Sequence, residues 1–208
     1  MKTKYLILDA MGVIYKNCDD VEDLLIPFIR ANGSNIAKEK INDYYKKASL
    51  GKFSSKLFWE YVGLNPKIEN EYITNFLLTK GIVKFLKKAV KKFEKIICLS
   101  NDVSEWSIKL RKYFNLSRYI EEWYISGDLK CRKPSIDIYY KLLSGLKEIK
   151  PNEITFIDDK EDNLIPAKDI GFNVVLFRGN YNELEKNKTI KKIDCVIDEL
   201  DNLFSIIK

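Results

Sequence analysis

Tyr5-Leu6-Ile7-Leu8-Asp9-Ala10-Met11-Gly12-Val13 decides how this chain folds. Its first four residues are bulky and apolar without interruption. That pattern reads as a strand covered on both faces, as central strands of parallel sheets are. The run ends in one carboxylate, Asp9, at the strand's C-terminal tip, where open α/β sheets bind their ligands. Two positions on stands Met11, where a second acid would have completed a pair with Asp9.

Downstream, helix and strand alternate. The pattern predicts a helix over 82–92 and a strand over 95–100. A helix then follows with Asp102 as N-cap and Glu105 completing a capping box. A short strand comes around Trp123–Ile125, then a helix over 135–146 with Pro134 in its first turn. Ile154–Asp158 reads as a strand, and Asn163–Ile170 as a helix closed by Gly171. Strands at 173–177 and Cys195–Ile197 and a terminal helix complete the series. Such alternation makes an α/β fold with a parallel sheet and helices on both faces.

Residues from Asp20 to Leu78 break the alternation with helical periodicity alone. Val21, Leu24, Leu25, Phe28 and Ile29 form one apolar face, with Asp20 placed as N-cap and Asp23 three residues on. Ile41, Tyr44, Tyr45 and Ala48 mark a second helix. Ser54 heads a third bearing Leu57, Phe58, Tyr61 and Val62, and Tyr72, Ile73, Phe76 and Leu77 mark a fourth. Phe58 and Trp59 read as the core of this small bundle. The expected division is therefore a core of residues 1–15 and 80–208, with a helical insert of residues 16–79 after the first strand.

Composition excludes several chemistries. The 208 residues contain no histidine, so Ser-His-Asp, Cys-His and histidine-base mechanisms are closed. Four dispersed cysteines, none in a CxxC pair, argue against zinc. Cys98 and Cys195 lie in apolar runs and read as small core residues of a reducing cytosol. No apolar run approaches the roughly 18–20 residues of a membrane span, and no signal-peptide pattern precedes the first strand. A cytoplasmic protein is the expectation. The net charge of +6 comes from 36 basic and 30 acidic residues. Its denser patches, Lys84–Lys95 and Lys186–Lys192, carry no nucleic-acid recognition motif. Phe85, Leu86, Ala89, Val90 and Phe93 give the first patch the pattern of a solvated amphipathic helix. A mildly basic surface suits a small anionic substrate. Neither nucleic acid nor membrane is expected as partner, and the chain reads as a monomer or homodimer.

In a parallel sheet these strand tips gather at one edge. Asp9 ends the first strand, Ser100-Asn101 the second and Asp158-Asp159 the fourth, while Lys133 lies on the loop after the third. Carboxylates from two strands suit a hard cation such as Mg²⁺. Ser100 and Lys133 suit phosphate oxygens, and Asp9 suits nucleophilic attack on phosphorus through an acyl-phosphate.

The ordered set Asp9-x-Met-Gly, Leu-Ser100-Asn101-Asp102, Arg132-Lys133-Pro134 and Ile-Asp158-Asp159-x-x-x-Asn163 resembles the four motifs of the haloacid dehalogenase-like hydrolase superfamily, in its small helical cap type, subfamily I. The resemblance covers essentially the whole chain. It implies a Rossmann-like core, a cap domain after strand one, and Mg²⁺-dependent hydrolysis of a small phosphorylated metabolite. By position, it implies Asp9 as nucleophile and metal ligand, the Met11 carbonyl and Asp159 as further ligands, and Ser100 and Lys133 as the phosphate-binding pair. It places Asn101 and Gly12 at the substrate, with Asp158 and Asn163 in support.

Met11 departs from the pattern, because phosphatases of the family carry there an Asp that protonates the leaving group. Loss of such assistance costs about 10²–10⁴ in rate. Three readings stay open: a phosphatase for good leaving groups or with another acid, a carbon–halide hydrolase, or a phospho-ligand-binding or regulatory protein with little turnover.

Overall fold

The structure is a computed structural model that describes residues 3–146, 148–181 and 192–207. Six strands form one parallel sheet in the order β3-β2-β1-β4-β5-β6. They are β1 (Tyr5–Leu8), β2 (Lys95–Ser100), β3 (Glu122–Ile125), β4 (Ile154–Asp158), β5 (Asn173–Phe177) and β6 (Cys195–Ile197). The first strand lies at the centre, pairing with β2 on one side and β4 on the other. Strand order reverses there, which makes the tips of β1, β2 and β4 the natural ligand edge.

Side chains of β1 alternate between two apolar layers, as the two-residue period of a strand requires. Leu6 and Leu8 join the layer containing α5 (Ile82–Ala89) and α6 (Ser104–Tyr113). Ile7 joins the layer containing α8 (Ile136–Gly145) and α9 (Glu161–Ile170). A one-turn helix, α7 (Ser126–Leu129), follows β3.

Between β1 and α5 lie a π-helical turn, Val21–Leu25, continuous with α1 (Ile26–Ala31), then α2 (Lys38–Ala48), α3 (Ser55–Tyr61) and α4 (Glu69–Thr74). The passages into and out of this segment touch: Lys16 N–H donates to the Leu77 carbonyl and Thr79 N–H to that of Ile14. Phe58 and Trp59 are fully buried as expected. Their aromatic cluster continues beyond the helical segment, with Trp106 of α6 5.2 Å from Phe58 and 5.5 Å from Trp59 between ring centroids. Glu69 fastens the same junction, one carboxylate oxygen accepting from the indoles of both Trp59 and Trp106 at 2.9 and 3.0 Å.

Several local expectations are corrected. Asp102 does not cap α6. Val103 occupies the N-cap, and the buried Asp102 carboxylate accepts its N–H. Glu105 forms no capping box but reaches the Ser55 N–H of α3. Asp19, not Asp20, accepts a first-turn N–H, that of Glu22, and Asp20 turns inward. Pro134 precedes α8 rather than entering it, and Ser135 takes the N-cap. The helix expected over 82–92 ends at Ala89, and α4 ends before Phe76 and Leu77. Cys98 is buried, whereas Cys195 is half-buried on the last strand. Ser54 caps α3 and left-handed Gly171 closes α9, as expected. The basic stretch at 186–191 lies outside the described residues. Among those described, no helix is long and apolar enough to cross a membrane.

Candidate active site

Asp9 continues straight from β1, its N–H bonded to the Ile157 carbonyl of β4. The sheet therefore fixes its backbone before any side chain is considered. Its Oδ1 accepts the following N–H, that of Ala10, at 2.7 Å and pairs with Lys133 Nζ at 2.7 Å. Oδ2 accepts neither of these.

Lys133 is almost completely buried, and all three of its ammonium hydrogens are engaged. They face Asp9 Oδ1, Asp158 Oδ2 at 2.6 Å and the Leu99 carbonyl at 2.9 Å. Burial alone would lower its pKa, but Asp158 and Asp9 outweigh this and hold the ammonium well above its ordinary value. In this geometry Lys133 binds a phosphate oxygen only by exchanging one of those partners.

Asn101, expected at the substrate, lines the cavity and also holds the lysine loop. Its amide accepts the Lys133 N–H at 2.8 Å and donates to the Lys133 carbonyl at 2.9 Å. This two-way bond ties the tip of β2 to the lysine loop and sets where Nζ enters the site.

Asp158 is saturated. Besides Lys133, it accepts the Lys160 N–H at 2.8 Å, and Asn163 Nδ2 approaches its two oxygens at 3.0 and 3.1 Å. Asp158 and Asn163 thus support the site. The adjacent Asp159 differs: its Oδ2 accepts the Tyr181 hydroxyl at 2.9 Å, while its buried Oδ1 has no partner. Ser100 Oγ is likewise buried without a partner. Buried polar atoms are rarely left unpaired, so both point to something the site binds.

Gly12, expected at the substrate, is needed for space. It adopts φ +79°, and a Cβ there would stand 2.3 Å from Asp159 Oδ2. Its carbonyl accepts Asn180 Nδ2 at 2.9 Å, and the same amide reaches Thr79 Oγ1. Met11 is buried in the apolar layer and also borders the site cavity.

Asp9, Asp158 and Asp159 can each bring one oxygen within 4.8 Å of the others. Burial first, and then their neighbouring carboxylates, push Asp9 and Asp159 above the usual carboxylate range. Three buried acids face Lys133 and, farther out, Lys160, so the cluster is still short of positive charge. The hard oxygen donors, the orphaned Asp159 Oδ1 and this charge deficit all fit a hard divalent cation.

The cavity above the cluster measures about 810 Å³. Asp9, Met11, Ser100, Lys133 and Asp159 form its floor, and Asp20 and Tyr45 of the helical segment form part of its wall. Sequence reasoning missed Asp20, Tyr45, Asn180 and Tyr181 as site residues. Only Asn180 and Tyr181 had a usable signal, since they follow β5 and so belong to the same sheet edge.

Residues 3–171 match the family of haloacid dehalogenase-like hydrolases, and the chain belongs to that family. It is a hydrolase with a Rossmann-like α/β core. The fold is similar to that of a phosphatase of the family from Thermococcus onnurineus, with TM-score 0.73, 18% identity, and 98% of this chain and 97% of that one covered. It is also similar to the magnesium-bound hydrolase YfnB of Bacillus subtilis, with TM-score 0.72, 13% identity and both chains fully covered. A third neighbour is the family enzyme BT-2542 of Bacteroides thetaiotaomicron in complex with magnesium and inorganic phosphate. There the TM-score is 0.69 and identity 19%, covering 89% of this chain and all of that one. Among curated proteins, bifunctional epoxide hydrolase 2 of Rattus norvegicus is 36% identical over 89 residues. The match takes in 41% of this chain and only 16% of that protein.

Proposed function

We propose that this hydrolase is a Mg²⁺-dependent phosphatase acting on a small phosphorylated metabolite through an aspartyl-phosphate on Asp9. The observation that carries the reading is the pair of orphaned buried atoms, Ser100 Oγ and Asp159 Oδ1, beside a carboxylate held by a buried lysine. One orphan is a hydroxyl donor suited to a phosphoryl oxygen. The other is a carboxylate oxygen suited to a cation. Of the structural neighbours named above, YfnB holds magnesium and BT-2542 holds magnesium with inorganic phosphate.

Asp9 Oδ2 attacks phosphorus while Oδ1 stays on Lys133, so the nucleophile is aimed by an ion pair and by the sheet. Ser100 Oγ donates to a phosphoryl oxygen. Lys133 balances charge within the cluster and opposes the rise that burial and Asp158 impose on Asp9. Asp158 and Asn163 hold Lys133 in place. Asp9, the Met11 carbonyl and Asp159 would hold Mg²⁺, which would supply positive charge to screen repulsion between carboxylate and phosphate. Residues 16–79 serve as a cap domain that closes the site from water, on a core of residues 1–15 and 80–208.

Phosphate release from para-nitrophenyl phosphate and acetyl phosphate tests this, measured in Mg²⁺ and in EDTA. Activity in Mg²⁺ that EDTA removes and added Mg²⁺ restores is the expected outcome. Saturable binding of inorganic phosphate with no release from either compound contradicts it and favours a ligand-binding protein.

A further inference from the structure

The proposed reaction leaves one part without an owner, since Met11 holds no proton and an alkoxide leaving group needs one. We propose that Asp20, on the helical segment, supplies that proton. The inference rests on the phosphatase reading and adds a catalytic residue to it.

Asp20 is 7% exposed and borders the same cavity as Asp9, Met11 and Ser100. The sequence marks it as a helix N-cap, yet its side chain caps nothing. The neighbouring Asp19 takes that role, which leaves the Asp20 carboxylate without a structural task at the helix start. The turn that follows is π-helical, an irregularity frequent at functional sites, and it carries Asp20 at its head. Tyr45 of α2 donates its hydroxyl to Asp20 Oδ2 at 3.4 Å and also lies 3.2 Å from the Asn101 carbonyl at the tip of β2. The acid is thereby positioned against the sheet edge that holds the nucleophile.

The surroundings favour a retained proton. Burial, with Asp19 adding to it, raises the carboxyl to about 6, while Lys160 and Arg132 oppose the rise. Asp102, itself buried, lies near Asp20, and its own carboxyl is raised by burial and by Asp20. A catalytic acid works best with a pKa near the operating pH.

In the first half-reaction Asp9 Oδ2 forms a bond to phosphorus and the phosphorus–oxygen bond to the alkyl group breaks. The electron pair goes to that oxygen, which takes the Asp20 proton and leaves as alcohol. In the second half-reaction ionised Asp20 takes a proton from water as the water oxygen attacks phosphorus. The bond from Asp9 breaks, Asp9 returns as carboxylate, and phosphate leaves.

The test compares para-nitrophenyl phosphate, whose leaving group needs little protonation, with glycerol 2-phosphate, whose leaving group needs it. Wild type, Asp20→Asn, Asp20→Glu and Asp9→Asn are assayed in Mg²⁺ across pH. Asp20→Asn is expected to lower kcat on the alkyl ester by about 10²–10⁴ and on the aryl ester by less than about tenfold. It also removes the fall of alkyl-ester kcat/KM above about pH 6, the value set by the Asp20 carboxyl. Asp20→Glu, which keeps a carboxyl, restores part of the alkyl rate and shows that the loss at Asn is not misfolding. Equal losses on both esters, an unchanged pH profile, or wild-type protein that hydrolyses only the aryl ester each overturn the role of Asp20. Activity that survives Asp9→Asn overturns the underlying nucleophile instead.

Discussion

Asp9→Asn is expected to abolish metal-dependent phosphate release and leave the fold intact. The loss comes from chemistry: an amide oxygen does not form the acyl-phosphate. Removal of a covalent nucleophile typically costs on the order of 10⁴–10⁶ in kcat. Stability should not fall, because the charge that Asn removes is on balance disfavoured in the fold. Burial and the neighbouring Asp158 penalise the Asp9 charge, while Lys133 favours it. Lys133 keeps Asp158 and the Leu99 carbonyl when the charge at position 9 is removed. The unfolding free energy of Asp9→Asn is expected no more than about 1 kcal/mol below that of wild type, as for substitutions that leave no unpaired buried charge. Substantial activity in a folded Asp9→Asn protein contradicts the assignment.

The largest structural effect is expected from Lys133→Met. Methionine fills similar space but removes the cation that pairs with both Asp9 and Asp158 at the centre of the three acids. Removing one partner of a buried ion pair costs about 3–5 kcal/mol. For a chain of this size that is a fall in Tm of roughly 6–20 °C. The deficit has a pH sign. Burial and mutual repulsion hold Asp9 and Asp159 above their unfolded values, so folding favours their protonated forms. Their contribution to stability is therefore fully present below about pH 4 and is lost as pH rises through the folded values. Mg²⁺ should return part of the lost stability by supplying the missing charge. Denaturant unfolding of metal-free protein at two pH values checks this. A loss below about 1 kcal/mol, or one that shrinks as pH rises, contradicts the view of Lys133 as the charge that holds the cluster together.

Much of this site could be read from local sequence because the chemistry sits at strand tips. Tyr5–Leu8 must be buried on both faces, and the next residue then emerges at the ligand edge. The same reasoning placed Ser100 and the Asp158-Asp159 pair, and the structure brings these groups to one edge. Capping signals misled at Asp20 and Asp102. Both precede a helix at N-cap spacing, but tertiary packing buries them and other groups take the helix ends. Local pattern does not reveal whether an acid faces solvent or a cavity. The place of Asn180 and Tyr181 after β5 hints at the sheet edge, but their partners are not legible from it. Asn180 bonds Gly12 across 168 positions and Tyr181 bonds Asp159 across 22, and no periodicity encodes such pairings. Lys133 was found, but its commitment to three partners was not, because that depends on the convergence of β1, β2 and β4.

The central claim is that phosphate passes through Asp9. The most direct measurement is acid quenching of the protein during turnover of acetyl phosphate in Mg²⁺, borohydride reduction and mass spectrometry of the tryptic peptide Tyr5–Lys16. Asp9 is the one side-chain carboxylate in that peptide, so its conversion to homoserine identifies the acyl-phosphate without ambiguity. The predicted result is conversion in Mg²⁺ that disappears in EDTA. Continued phosphate release with Asp9 unmodified, or modification of another carboxylate such as Asp159, would contradict it.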